Sequence, residues 1–170
     1  RISTFFTTGM VGHVALADPV CLATAEILSL AAHKVNTIVH DGGTYVCIEG
    51  PQFSTRAESN VYRQWDVDVI GMTNATEAKL AREASICYAT LALVTDYDCW
   101  KEEEEPVTVE AVLAIMHKNV ETAQKVLQKL ASEFEGKQSC DCGTAAKNAV
   151  VTDPKSIPDQ LKDELSILFG

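Results

Sequence analysis

Apolar residues recur three or four apart at Leu22, Ala25, Ile27, Leu28 and Ala32, which predicts a helix with one buried stripe. Asp18-Pro19 just upstream has the form of a cap followed by a first-turn proline. Two β-like pieces follow, 37–40 and 44–49, separated by Asp41-Gly42-Gly43, a hairpin-type turn. Ser54 can cap a second helix running to about Trp65, and 68–72 is a short apolar strand. Asn74 with Glu77 three residues later opens a third helix ending near Ser85. The most strand-like segment is the apolar run from Ile86 to Thr95, which ends in Asp96-Tyr97-Asp98.

From residue 44 the order is therefore strand, helix, strand, helix, strand. Such alternation predicts an α/β domain whose sheet is at least partly parallel. After an acidic linker over 101–106, a long helix is expected from Thr108 to about Phe134, with Val109, Val112, Met116, Val120, Ala123, Leu127 and Leu130 forming the stripe laid on the sheet. The tail, 136–170, holds two weaker helical stretches split by Asp153-Pro154 and Ile157-Pro158. Few strands are visible for such a domain, and Arg1-Ile2-Ser3-Thr4 reads like the middle of a protein. The expectation is that upstream sequence has been cut away and that this chain is the C-terminal part of a larger fold.

Composition narrows the function. With 170 residues, 46% of them hydrophobic, the chain is large enough to bury a substantial core. A net charge of −10 argues against nucleic acid and anionic membranes as partners. No apolar stretch reaches membrane-spanning length and no signal-peptide pattern opens the chain, so a cytoplasmic location is expected. Of six cysteines, Cys21, Cys47, Cys87 and Cys99 sit in core-like segments, whereas Cys140 and Cys142 form a close pair. That pair is a metal half-site, a strained disulfide or neither. With no second Cys or His pair nearby in sequence, the last two are favoured and no metal is expected.

Three strand-to-helix junctions carry candidate chemistry, and in a parallel sheet they would line one edge. In Glu49-Gly50-Pro51-Gln52-Phe53-Ser54-Thr55, backbone N–H groups and the Ser54 hydroxyl suit a polar ligand edge, while Phe53 can stack on a flat ring. Taken alone, the same residues read more readily as an ordinary capped helix with a core aromatic. In Ile70-Gly71-Met72-Thr73-Asn74, Gly71 permits close approach, Met72 offers an adaptable apolar surface and Thr73 can donate to an anion; a methionine ending a strand is also an ordinary core residue. At the third, Asp96 and Asp98 point to the same side if the backbone is extended. Two carboxylates in a partly enclosed site repel, so one can stay protonated and act as a general acid. His13 is a lone imidazole on an extended apolar piece; His33, His40 and His117 have no partners at metal-ligand spacing. No nucleophile elbow, Walker sequence or Cys-His pairing is present.

The segments GTYVCIEGPQFSTRAES, DVIGMTNATEAKLAREASICYA and LVTDYDCW together resemble the methylthioadenosine phosphorylases of the purine nucleoside phosphorylase family. The likeness runs from about Arg1 to Leu130, and the Cys-x-Cys region is similar to one in some microbial members. The resemblance implies a phosphorylase-type fold with a central mixed β-sheet flanked by helices, residues 1–135 being the C-terminal part of that domain and 136–170 a helical tail. It implies phosphorolysis of 5′-methylthioadenosine to adenine and 5-methylthioribose 1-phosphate, with inorganic phosphate as co-substrate and no cofactor. Asp96 matches the acid that protonates the purine at ring nitrogen 7, and Asp98 its partner at the exocyclic amine. Phe53 and Ser54 match residues lining the base, Met72 the ribose face and Thr73 a phosphate ligand. Val109, Val112 and Leu113 match the apolar methylthio pocket. His13 would reach the substrate of a neighbouring subunit, which implies a trimer or a hexamer of trimers. The family's Gly-rich phosphate loop and Arg-His phosphate ligands are absent from these residues, so the chain alone is expected to be inactive and an N-terminal fragment to complete the site. The rival readings are a broader purine nucleoside phosphorylase and a non-catalytic module that binds purines or builds an oligomer.

Overall fold

The computed structural model describes residues 1–101, 109–134, 136 and 139–169. Five helices and one parallel strand pair are present among them: α1 (Leu22–His33), β1 (Tyr45–Cys47), α2 (Arg56–Gln64), β2 (Val69–Gly71), α3 (Asn74–Glu83), α4 (Val109–Glu133) and α5 (Asp159–Phe169). The α/β expectation holds. The chain forms two compact units, one of Arg1–Ala25, Ala75–Ala89 and Gln138–Gly170, the other of Glu26–Asn74 and Thr90–Lys137.

In the second unit β1 and β2 pair in parallel, Tyr45 opposite Val69 and Cys47 opposite Gly71. Asp41-Gly42-Gly43 therefore makes no hairpin, and residues 37–40 form no strand. The turn's polar residues serve other partners. The Asp41 carboxylate receives the Ser29 hydroxyl and lies 3.1 Å from His33 Nε2, while the Asp68 carboxylate accepts the Thr44 N–H at 2.7 Å, joining the starts of the two strands. The run from Ile86 to Thr95 is also not a strand. It finds no ladder partner among the described residues, and its apolar side chains are enclosed only in part: Leu91 packs beside Ala31, Ala32 and Val126, whereas Ile86 is 60% and Val94 63% exposed.

Helix α4 matches its expected length, although Thr108 and 102–106 of the linker lie outside the described residues. Its packed face is rotated from the expected stripe. Met116, Val120 and Leu127 are exposed, and the packing centre is Val126, 1% exposed, against Ala31 and Ala32 of α1 with Leu130 beside them. The two small alanine side chains leave room for Val126, which centres the packing on that face. Asn119 shares the packed side and donates its amide to the Val94 carbonyl at 2.9 Å.

Where α1 ends, Lys34 pairs with Glu133 at 2.7 Å, and Lys129 reaches the other oxygen of the same carboxylate at 2.7 Å. Lys129, and then Lys34, hold the Glu133 carboxyl below the ordinary glutamate range. A lowered folded-state value contributes stability that is present above the unfolded value and lost as pH falls through the folded one. The melting temperature of the parent should therefore exceed that of Glu133→Gln at neutral pH. The gap should close in acid and shrink in high salt, because the pairs are exposed.

In the first unit the core is Met10, Ile157 and Leu161, flanked by Phe6, Val150 and Leu165. Gly12 bridges Val150 in antiparallel fashion, and the His13 N–H donates to the Ala149 carbonyl at 2.8 Å. The buried Glu83 carboxylate accepts the Phe5 N–H at 2.6 Å, so that charge is not left without a donor. The tail's two helical stretches prove to be a single 3₁₀ turn at Cys142–Thr144 and α5.

Candidate active site

Parallel pairing puts the carboxyl ends of β1 and β2 side by side, and the first two junctions leave from that edge. The Ile48 N–H extends the ladder to the Gly71 carbonyl at 2.8 Å. The chain then turns at Gly50, whose φ of 69° is the left-handed conformation glycine adopts without cost. Met72, leaving β2, packs its sulfur against Gly50: a Cβ built there would stand 2.6 Å from Met72 Sδ. The room that Gly71 leaves is taken by the Tyr45 phenol on the neighbouring strand. Thr73, exposed, immediately precedes α3.

The helix cap differs from the one expected. Thr55, not Ser54, caps α2: its hydroxyl accepts the Glu58 N–H at 3.2 Å, and the Glu58 carboxylate accepts the Thr55 N–H at 2.7 Å. Thr-x-x-Glu is a complete capping box, and reading Ser54 as the cap overlooked it. Those bonds, the Thr55 backbone one first, hold the Glu58 carboxyl below its usual range. The consequence falls on Ser54, whose Oγ is buried and has no hydrogen-bond partner among the described residues. A buried hydroxyl left unpaired costs about 1–3 kcal/mol, so a position that keeps one is a candidate for bonding a ligand.

The third junction is tied to the first. Cys99 Sγ donates to the Ser54 carbonyl at 3.6 Å, while the Cys99 N–H donates to Asp98 Oδ1 at 2.8 Å. Asp96 Oδ2 accepts the Thr95 hydroxyl at 2.6 Å. The segment that follows is held by ring contacts: Arg63 of α2 lies 3.9 Å over the Trp100 ring, Trp100 meets Tyr97 edge-on at 5.8 Å, and Lys101 Nζ stands 3.5 Å over Tyr97. Ser54 and Asp98 are thereby linked through one cysteine.

Enclosure is less than the apolar run implied. Asp96 is exposed and Asp98 half-buried, and Phe53 is 87% exposed. Met72 and Val112 are half-buried, and Leu113 is exposed. The Val109 side chain lies outside the described residues. His13, exposed, belongs to the first unit. Cys99 and Trp100 were not singled out from sequence, where a thiol and an indole after two aspartates gave no signal of the bonds they make.

A small parallel sheet whose strand ends lead into helices, with polar groups gathered at those ends, is the arrangement in which α/β proteins as a class place their ligand sites. The chain belongs to the phosphorylase superfamily, whose family model matches residues 2–132. It is 48% identical over its whole length to the S-methyl-5′-thioadenosine phosphorylases of Koribacter versatilis and Geobacter sulfurreducens, covering 58% and 59% of those proteins. Among solved structures, it superposes with a TM-score of 0.89 at 47% identity on a methylthioadenosine phosphorylase from an antarctic soil metagenomic library, covering all of this chain and 61% of that one. A mutant adenosine/methylthioadenosine phosphorylase from Schistosoma mansoni, solved with adenine, matches 81% of this chain at 35% identity and a TM-score of 0.74. The chain thus spans about three-fifths of the length of these relatives.

Proposed function

We propose that this chain carries the purine-binding half of a phosphorylase that converts 5′-methylthioadenosine and inorganic phosphate to adenine and 5-methylthioribose 1-phosphate. The observation that carries the reading is Ser54: its hydroxyl is buried and, among the described residues, unpaired at the carboxyl edge of a parallel sheet, and its carbonyl is bound by Cys99, next to Asp98. Cleaving the glycosidic bond leaves negative charge on the purine, and an acid at ring nitrogen 7 lowers that barrier. Asp96 takes this role, Asp98 accepts from the exocyclic amine, and Phe53 and Ser54 line the base. Met72 faces the ribose, and Val109, Val112 and Leu113 receive the methylthio group, which gains little from hydrogen bonds. The names of the relatives support this choice of substrate.

Attack by a phosphate dianion needs cations and oriented donors, which Thr73 alone does not supply. In this reading the rest of the phosphate site comes from residues of the same protein outside this chain, 136–170 form a tail behind the phosphorylase domain, and His13 serves the site of a neighbouring subunit in a trimer or hexamer. No helix among the described residues is long and apolar enough to cross a membrane, and a cytoplasmic location is part of the proposal.

The test compares phosphorolysis of methylthioadenosine with that of inosine by the full-length protein. The adenine nucleoside should be preferred by at least about tenfold in kcat/KM, the discrimination expected when a half-buried acceptor pairs with an amine in one substrate and faces a carbonyl in the other. A preference for inosine would defeat the assignment of Asp96 and Asp98.

A further inference from the structure

In the first unit the fold gathers four cysteines that lie far apart in sequence. Cys21 stands immediately before α1, Cys87 follows α3, and Cys140 and Cys142 flank Asp141 at the 3₁₀ turn. Their four Sγ atoms all lie within 4.8 Å of one another, with Cys87 and Cys140 3.4 Å apart. Tetrahedral zinc with Zn–S bonds of about 2.3 Å requires S···S separations of about 3.8 Å, so small side-chain adjustments bring the set to that geometry. The Cys-x-Cys lacked a partner pair in sequence because Cys87 is 53 residues upstream of Cys140, and Cys21 further still.

We infer that Cys21, Cys87, Cys140 and Cys142 form a structural zinc site that fastens the tail to the segments around Cys21 and Cys87. All four positions of a tetrahedron are filled by sulfur, which leaves none for water or substrate, as in structural rather than catalytic zinc sites. Thiolate donors select zinc and other soft or borderline ions over magnesium or calcium.

The surroundings fit that charge. Arg82 Nη1 lies 3.9 Å from Cys142 Sγ and its other nitrogen donates to the Asp18 carbonyl, so a fixed cation faces a group that would carry two net negative charges. The Cys21 N–H is held by the Tyr88 carbonyl at 2.8 Å, and the Ala146 N–H by the Ser85 hydroxyl at 3.1 Å, tying the ligand-bearing segments together. Cys21 and Cys142 are buried, Cys87 is half-buried and Cys140 is exposed, which gives an ion a way in.

The test uses full-length protein prepared without a histidine tag or chelator, under reducing conditions. Elemental analysis should find about one zinc per chain, and cobalt exchanged into the protein should show the intense visible absorption of a tetrahedral thiolate complex. Cys140→Ser removes the exposed ligand, the change easiest for the fold to tolerate, and should weaken zinc binding at least about tenfold in a competition with a chelating dye. If that variant does not fold, the cobalt spectrum of the parent still decides. Metal-free protein with four titratable thiols, disulfides among these cysteines, iron in place of zinc, or unchanged zinc affinity in Cys140→Ser would each overturn the inference. None of these readouts depends on phosphorolysis, so the failure of the proposed function would leave them standing.

Discussion

Asp96→Ala in the full-length protein should lower kcat/KM for methylthioadenosine by about 10²- to 10⁴-fold, the range a positioned general acid contributes. The loss should lie mainly in kcat, because the proton is needed where the glycosidic bond breaks and not where the nucleoside binds. Asp96→Asn keeps the shape but cannot protonate ring nitrogen 7; its amide can donate to a carbonyl, so activity should shift towards 6-oxopurine nucleosides. Circular dichroism should be unchanged in both variants, since Asp96 is exposed and among the described residues its side chain is bonded by the adjacent Thr95 alone. Unchanged phosphorolysis in Asp96→Ala would show that the residue is not the acid and would revive the reading of a purine-binding module.

The second large effect should come from a single methyl group. Gly50→Ala places a carbon 2.6 Å from Met72 Sδ at a residue whose φ is 69°. The left-handed backbone costs an L-residue about 1–2 kcal/mol, and relieving the overlap pushes Met72 off the edge it shares with the ribose in the proposed site. Gly42→Ala separates the two causes. Its φ is 80°, but among the described residues no atom beyond its chain neighbours lies within 4 Å of the new carbon. Both variants should melt earlier, whereas only Gly50→Ala should raise KM for methylthioadenosine, by roughly tenfold for a shifted apolar contact. Equal KM values in the two would remove Met72 from the ribose face.

What could be read from sequence follows the range of the interactions concerned. Helices α2, α3 and α4 were legible because capping and 3.6-residue periodicity are local, and even the misplaced cap of α2 erred by one residue, Ser54 for Thr55. Strands β1 and β2 were found, but their partners were not. Asp41-Gly42-Gly43 carries every local mark of a hairpin, yet Thr44 bonds to Asp68, which local chemistry cannot announce. The run from Ile86 to Thr95 has strand composition, and a strand also needs neighbours to hydrogen-bond. Its exposure removed the wall that was expected to enclose Asp96. The motifs at residues 49–55 and 70–74 gave the edge correctly, since a parallel pair brings its strand ends together whatever their register. The cysteine cluster is the opposite case: thiols brought together across the whole chain leave no periodic or local trace, and only Cys140 and Cys142 were visible as a pair.

Trp100 has a use beyond holding its loop. The chain has two tryptophans, and Trp100 stands between the Arg63 guanidinium and the Tyr97 ring, two residues from Asp98. A charge so near an indole sets its emission energy, and a change in the aspartate loop would alter that field. With Trp65 replaced by phenylalanine, the intrinsic fluorescence becomes a single-reporter signal from this loop, so purine titrations could be followed by light alone, with neither a dye nor a coupled assay.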